Sequence, residues 1–225
     1  MDPKVEAALK EAIEAGVFYG RSKRNSNPKM KSSVLYTRNG MEVVNLNVTL
    51  ESLEAAQRML REAKAEGKSM LFVGTQPAFF DLFQDFIDAT GMPAVTRRWI
   101  GGLITNFAVV SARLTHLKKL RTDLTSGAMD KYVKKERTAA EHELQKLEAN
   151  MGSFETLVAV PDVIIVVDPV EHRTAVLEAK KVGIPVIAFG NVDSDPDGIT
   201  HLVPGSVQGR RSVEWFLGKL KEVLA

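Results

Sequence analysis

The run "VIIVV" at residues 163–167, bounded by Asp162 and Asp168, constrains the fold more than any other stretch. Five consecutive β-branched apolar residues cannot make a strand with one wet face, because successive side chains point to opposite sides. Both faces must be covered, so the strand belongs inside a sheet with helices above and below. "SMLFVGT", "MPAV", "IPVIAF" and a weaker "ITHLV" read as further strands of the same kind. Between them lie helical patterns: "QPAFFDLFQDFIDATG" with Pro77 in its first turn, "VEHRTAVLEAKKVG", and a terminal "RRSVEWFLGKLKEVL". Strand–helix–strand order with apolar strands predicts an α/β fold: a doubly wound, mainly parallel sheet with helices on both faces.

Before the first strand the pattern differs. Residues 3–15 space Val5, Ala8, Leu9, Ala12 and Ile13 as a helix, ended by Gly16. "GRSKRNSNPKMKSS" has no periodicity and reads as an extended loop, not ordered in the isolated protein. "SVLYTRNGMEVVNL" places two apolar runs around Asn39-Gly40, a hairpin signal. Thr49 is the expected cap of the following helix, which Gly67 closes.

Residues 107–152 interrupt the alternation. Val110, Leu114, Leu117, Arg121 and Leu124, then Val133, Arg137, Ala140, Leu144, Leu147 and Met151, follow the 3–4 spacing of a coiled-coil seam, with "TSGAMD" as a turn. The expected organisation is an α/β domain of residues 1–106 and 153–225, including the N-terminal helix and basic loop 16–33. An antiparallel coiled-coil helical hairpin, 107–152, is inserted in it.

Net charge is only +2, but its distribution is uneven. Residues 16–40 carry Arg21, Lys23, Arg24, Lys29, Lys31 and Arg38 with no acid, whereas residues 155–200 carry eight acids and three bases. A block of this kind suits a polyanion, and equally a solvated loop. With no cysteine, disulfides and thiolate metal sites are excluded. No stretch reads as a membrane span or a secretory signal, and the reading is cytoplasmic.

Chemical signatures are few. After "LFVG" there is no G-x-G-x-x-G, and no P-loop or G-x-S-x-G occurs, so no cofactor is expected. Asp168 stands at a strand end where α/β enzymes place acids, without an evident partner. "DSDPDG" at 193–198 starts like a calcium loop but has Pro204 where the closing glutamate belongs, and an exposed acidic turn explains it as well. "RRWIGGLITNF", Arg97–Phe107, could be a phosphate loop, a lid, a nucleic-acid contact or a tight turn.

The combination resembles the bacterial form of the small-subunit ribosomal protein S-two family over nearly the whole chain. "NPKM" at Asn27–Met30, "RNG" before "VVNL", "LFVGT", "RRWIGGLITNF", "KKE" at Lys134–Glu136, "LQKLEANMG", "PDVIIVVD", "EAKKVGIPVIA", "DPD" and "PG" occur in the family's order. The resemblance implies a structural, non-catalytic protein of the small ribosomal subunit. It implies contact with ribosomal RNA near the back of the head–body junction and with neighbouring ribosomal proteins, the S-one protein among them where it exists. No homo-oligomer, metal or catalytic residue is implied.

On that footing Arg97 and Arg98 are expected to meet RNA phosphates. The loop cations Arg21, Lys23, Arg24, Lys29 and Lys31 form a second RNA site. Lys134, Lys135 and Arg137 form a third, for which a solvated helix face is the rival. Trp99 packs the joint or stacks on a base; Gly101 and Gly102 allow a sharp turn; Thr105 and Asn106 cap the next helix; Phe107 packs its base. The chain departs from the family pattern at Phe18 and Arg21 (histidines in the family), at Ser26 (tryptophan), at Gln76-Pro77 (lysines) and at Asn191–Asp193 (D-T-N). It departs again at Ser206, Val207 and Gln208, where the family has acids.

Overall fold

The computed structural model describes residues 3–126 and 133–224. Its centre is a five-stranded parallel sheet formed by β4 (Met70–Val73), β5 (Ala94–Val95), β6 (Val163–Val167), β7 (Val186–Gly190) and β8 (His201–Pro204). Their order is β5-β4-β6-β7-β8, with every neighbouring pair parallel. All five residues of β6 are buried, as an unalternating apolar run requires.

Alternate residues of these strands enter two separate cores. Phe72, Ile165, Ile187 and Phe189 pack toward α2 (Leu46–Ala65), α3 (Phe80–Thr90) and α7 (Arg210–Leu224). Leu71, Ile164, Val166 and Ala188 pack toward α4 (Phe107–Thr125) and α6 (Arg173–Val182). The first core is aromatic: the rings of Phe189 and Phe216 stack at 4.5 Å and 9°. Each fully buried phenylalanine contributes roughly 1.5–3 kcal/mol of transfer free energy.

The N-terminal region forms a second, antiparallel sheet of order β1-β3-β2, from β1 (Tyr19–Ser22), β2 (Val34–Arg38) and β3 (Met41–Val44). The hairpin turns at Asn39 and Gly40, whose φ values of 50° and 76° are those of a twist-matched two-residue turn. The basic segment is not the irregular loop its composition suggests. β1 pairs with β3, and two 3-10 turns follow at Lys23–Asn25 and Pro28–Ser33. The Asn27 amide donates to the Val192 carbonyl at 2.8 Å, and the Asn191 side chain donates to the Tyr19 carbonyl at 3.2 Å. Long-range backbone bonding supplies the order that local propensity lacks.

The capping expected of Thr49 falls to Asn45, whose side chain accepts from the Asn47 amide at the start of α2. Thr49 is buried inside the helix and donates its hydroxyl to the Pro204 carbonyl at 2.7 Å. It thereby fastens α2 to the edge strand. Apolar side chains of α1 (Pro3–Glu14) at the expected spacing are only partly covered; Ala12 is buried, while Val5 and Ile13 remain exposed.

Between β5 and β6 lie α4 and α5 (Lys134–Met151). Val110, Leu114 and Leu117 are buried as expected, but they face the sheet's second core, and Leu120 joins them in burial. On α5 only Ala140 and Met151 are buried among the described positions. Arg121 is bonded to Glu148 at 2.9 Å and Glu155 at 2.8 Å, and His116 lies 3.1 Å from Glu143. The His116–Glu143 and Arg121–Glu148 pairs join α4 to α5. The "TSGAMD" turn lies, from residue 127 on, outside the described residues.

Candidate nucleic-acid interface

The Arg97–Phe107 segment follows β5 and turns at Gly102, whose φ of +87° suits glycine. Gly101 has no such φ and open space around it, so only one of the two glycines is required by geometry. The segment wraps around one side chain, Glu178 of α6. Its Oε1 accepts from Trp99 Nε1 at 3.0 Å and the Gly102 amide at 2.8 Å. Its Oε2 accepts from the Ile104 and Thr105 amides, both at 3.2 Å, and from the Thr105 hydroxyl at 3.1 Å.

Converging amides of this kind form an anion-binding concavity. The anion is the protein's own carboxylate, so the phosphate-loop reading of the segment fails. Burial works to raise the Glu178 pKa, but the hydrogen bonds from Trp99 and from the Gly102, Thr105 and Ile104 amides outweigh it and hold the carboxyl below its usual range. The capping role expected of Thr105 is replaced by its bond to Glu178. Asn106 does sit at the N-cap of α4, without a side-chain capping bond. Trp99 is half-buried against the second core, with its N–H fixed, and Phe107 is half-buried at the start of α4. Arg97 and Arg98 are exposed and enter no ion pair among the described residues.

The other expected cations divide. Arg21 Nε lies 3.1 Å from Asp193 Oδ2, and Lys29 Nζ lies 2.9 Å from Asp195 Oδ1. Lys180 pairs with Asp197 at 2.7 Å. The three acids of the 193–198 turn are therefore each matched by a base of this chain. Burial lifts the Asp193 carboxyl above its usual range, partly countered by Arg21 and reinforced by nearby Asp168. Lys23, Arg24 and Lys31 are exposed and outside any such pair among the described residues. On α5, Lys134 and Lys135 are exposed in the first turn, and Arg137 lies 3.3 Å from Glu141.

In open α/β sheets ligands bind where strand order reverses, outside the carboxyl ends of the strands. Here that point lies between β4 and β6, and the chain's own side chains fill it. Asp168, at φ +63°, accepts from Gln76 Nε2 at 3.0 Å and from the Val170 and Glu171 amides. Buried His172 bonds the Asp168 carbonyl at 2.9 Å through Nδ1 and lies 3.0 Å from the Thr75 hydroxyl through Nε2. Asp168 and His172 therefore tie β4, β6 and the entry of α6 together.

Over residues 12–225 the sequence matches the profile of the family described as ribosomal protein S2. The chain belongs to the ribosomal protein S2 family. It is 36% identical over 220 residues to the small ribosomal subunit protein uS2 of Thermus thermophilus, covering 98% of this chain and 86% of that one. It is 35% identical over 216 residues to the uS2 of Geotalea uraniireducens, covering 96% and 84%. It is also 35% identical over 216 residues to the uS2c of Cyanophora paradoxa, covering 96% and 93%. Within this S2-family chain Arg21 stands against Asp193, 172 residues away, and Ser206 and Val207 are buried. Among the described residues no helix is long and apolar enough to cross a membrane.

Sequence reasoning missed Glu178, Asn45, Asn191 and His172. Glu178 alone carried a usable signal. Ala175, Glu178, Ala179 and Val182 are spaced as one helix face, which puts a carboxylate on an apolar stripe.

Proposed function

We propose that this protein is a structural constituent of the small ribosomal subunit. It binds small-subunit ribosomal RNA and neighbouring ribosomal proteins, and supports subunit assembly and translation without catalysing a reaction. The family match over nearly the whole chain carries the reading. The site agrees with it: Glu178 holds the Trp99–Thr105 turn rigid and leaves Arg97 and Arg98 to solvent, which suits phosphates positioned without sequence readout. Lys134 and Lys135 occupy the first turn of α5, where the helix dipole disfavours cations, so a polyanion there would relieve an unfavourable placement. We further propose that α4 and α5 form an arm lying against RNA, the family's coiled-coil hairpin.

The protein partners belong at the N-terminal face. Leu9, Ile13, Phe18, Leu35 and Tyr36 line an apolar groove of about 360 Å³ between α1 and the small sheet, and Ile13, Leu35 and Tyr36 are at least half exposed. A neighbouring ribosomal protein, S-one where it exists, is the occupant we assign to it.

Sedimentation of a tagged copy from lysate through a sucrose gradient tests the reading. Co-migration with small subunits, weakened by Arg97→Glu with Arg98→Glu, is the expected result. A protein that stays at the top of the gradient at low salt overturns it.

A further inference from the structure

Beside the Trp99 turn lies a groove of about 900 Å³, between that turn and the facing sides of α4 and α5. Its rim carries Arg98, Arg113 of α4 and Lys146 of α5, all exposed and none in an ion pair among the described residues. The lone acid lining it, Glu143, is already bonded to His116. Its floor is apolar: Ile100, Leu147 and Met151, with Trp99 alongside. Trp99 is fixed by its bond to Glu178, so this wall is preorganised.

A cationic rim over an apolar and aromatic floor fits single-stranded nucleic acid. Duplex RNA exposes phosphates but keeps its base faces stacked, whereas an unpaired nucleotide offers both. The volume is within the roughly 300–1,000 Å³ of sites that take small organic groups. We propose that this groove binds an unpaired nucleotide of ribosomal RNA. Its base lies on Ile100, Leu147 and Met151, and its flanking phosphates meet Arg98, Arg113 and Lys146. The proposal rests on the ribosomal RNA reading above and adds the structural class of RNA that the site selects.

The chain has two tryptophans, Trp99 and the buried Trp215. Trp215→Phe makes Trp99 the sole indole reporter, placed at the groove wall. The full chain carrying that change is titrated with a single-stranded RNA decamer and with a duplex of equal length, while a retardation assay reads binding independently. The single strand should change Trp99 emission and the duplex should not. Arg113→Gln with Lys146→Gln should abolish the emission change and lower the slope of log K against log salt by about 1.4, two phosphate contacts on a single strand. RNA that is retarded without any change at Trp99, or equal responses to both RNAs, overturns the groove proposal and leaves RNA binding standing. Absence of retardation by either decamer and by whole small-subunit RNA at low salt overturns both.

Discussion

Two basic segments, Arg97–Arg98 and Arg21–Lys31, look alike as sequence and are held in opposite ways. Beside the first, an internal carboxylate takes backbone amides and an indole N–H, and the guanidinium groups enter no ion pair among the described residues. Beside the second, internal carboxylates take the cations themselves: Asp193 takes Arg21 and Asp195 takes Lys29. The acid-free block at 16–40 therefore overstates the charge a polyanion can reach. The acidic turn that neutralises part of it lies about 170 residues downstream. What decides availability is whether a segment is anchored through its backbone or through its charges.

The sharpest way to break that contrast is Glu178→Gln. Glutamine keeps the shape but offers one uncharged acceptor where five donors converge. The loss of charge-assisted bonds and the unsatisfied amides should cost roughly 2–4 kcal/mol of folding stability. Thermal or denaturant unfolding checks it, and a change below about 0.5 kcal/mol would remove Glu178 as the anchor. The pH dependence sharpens the same point. The Glu178 pKa is depressed in the fold, so its contribution is fully present above the unfolded carboxylate value of about 4.3. It is lost as pH falls through the folded value. The stability gap between wild type and variant should thus be constant near neutrality and close only under acid.

Arg97→Gln with Arg98→Gln is the complementary change. Both side chains are exposed and outside ion pairs among the described residues, so stability should hold within about 0.5 kcal/mol. Affinity for ribosomal RNA should fall for all sequences alike, with the salt slope reduced by about 1.4–1.8. A loss confined to particular RNA sequences would mean that these arginines read bases.

Why the sheet was legible and its joint was not follows from the range of the forces involved. The strands announce themselves because burial on both faces forbids polar residues at every position, and "VIIVV" satisfies that rule locally. The Asn39-Gly40 turn is equally local, since both residues tolerate positive φ. Glu178 lies at least 73 residues from the donors it collects, inside a charged "EAKK" that reads as helix surface. The Arg97–Phe107 composition identified a turn, but not the buried anion at its centre. Seam spacing on α4 found three of four buried residues and missed Leu120, because the helix packs on a sheet as well as on α5. Long-range ion pairs such as Arg21–Asp193 leave no periodic trace at all.

Arg21→Gln tests the second segment. Arg21 Nε and Asp193 are largely buried, and the variant leaves Asp193 with less compensation for its burial. Stability should fall by about 1 kcal/mol, and the Asp193 carboxyl should rise further, readable by carboxylate NMR titration. RNA affinity should change less than in the Arg97 and Arg98 variant. A larger loss of affinity than of stability would return Arg21 to the RNA-facing set.

The smallest effect belongs to Lys29→Gln. Its ammonium faces Asp195 at the surface, where the pairing raises the lysine pKa and lowers that of Asp195. Solvent and salt screen exposed pairs, so neither the melting temperature nor RNA affinity should move beyond experimental scatter. Lys31→Gln, two residues on and outside any ion pair among the described residues, should lower the salt slope by about 0.7–0.9 under identical conditions. The difference between two lysines two residues apart is the finest form of the contrast. Equal responses would mean that RNA pulls Lys29 away from Asp195 on binding, and that internal ion pairs in this segment give way to phosphates.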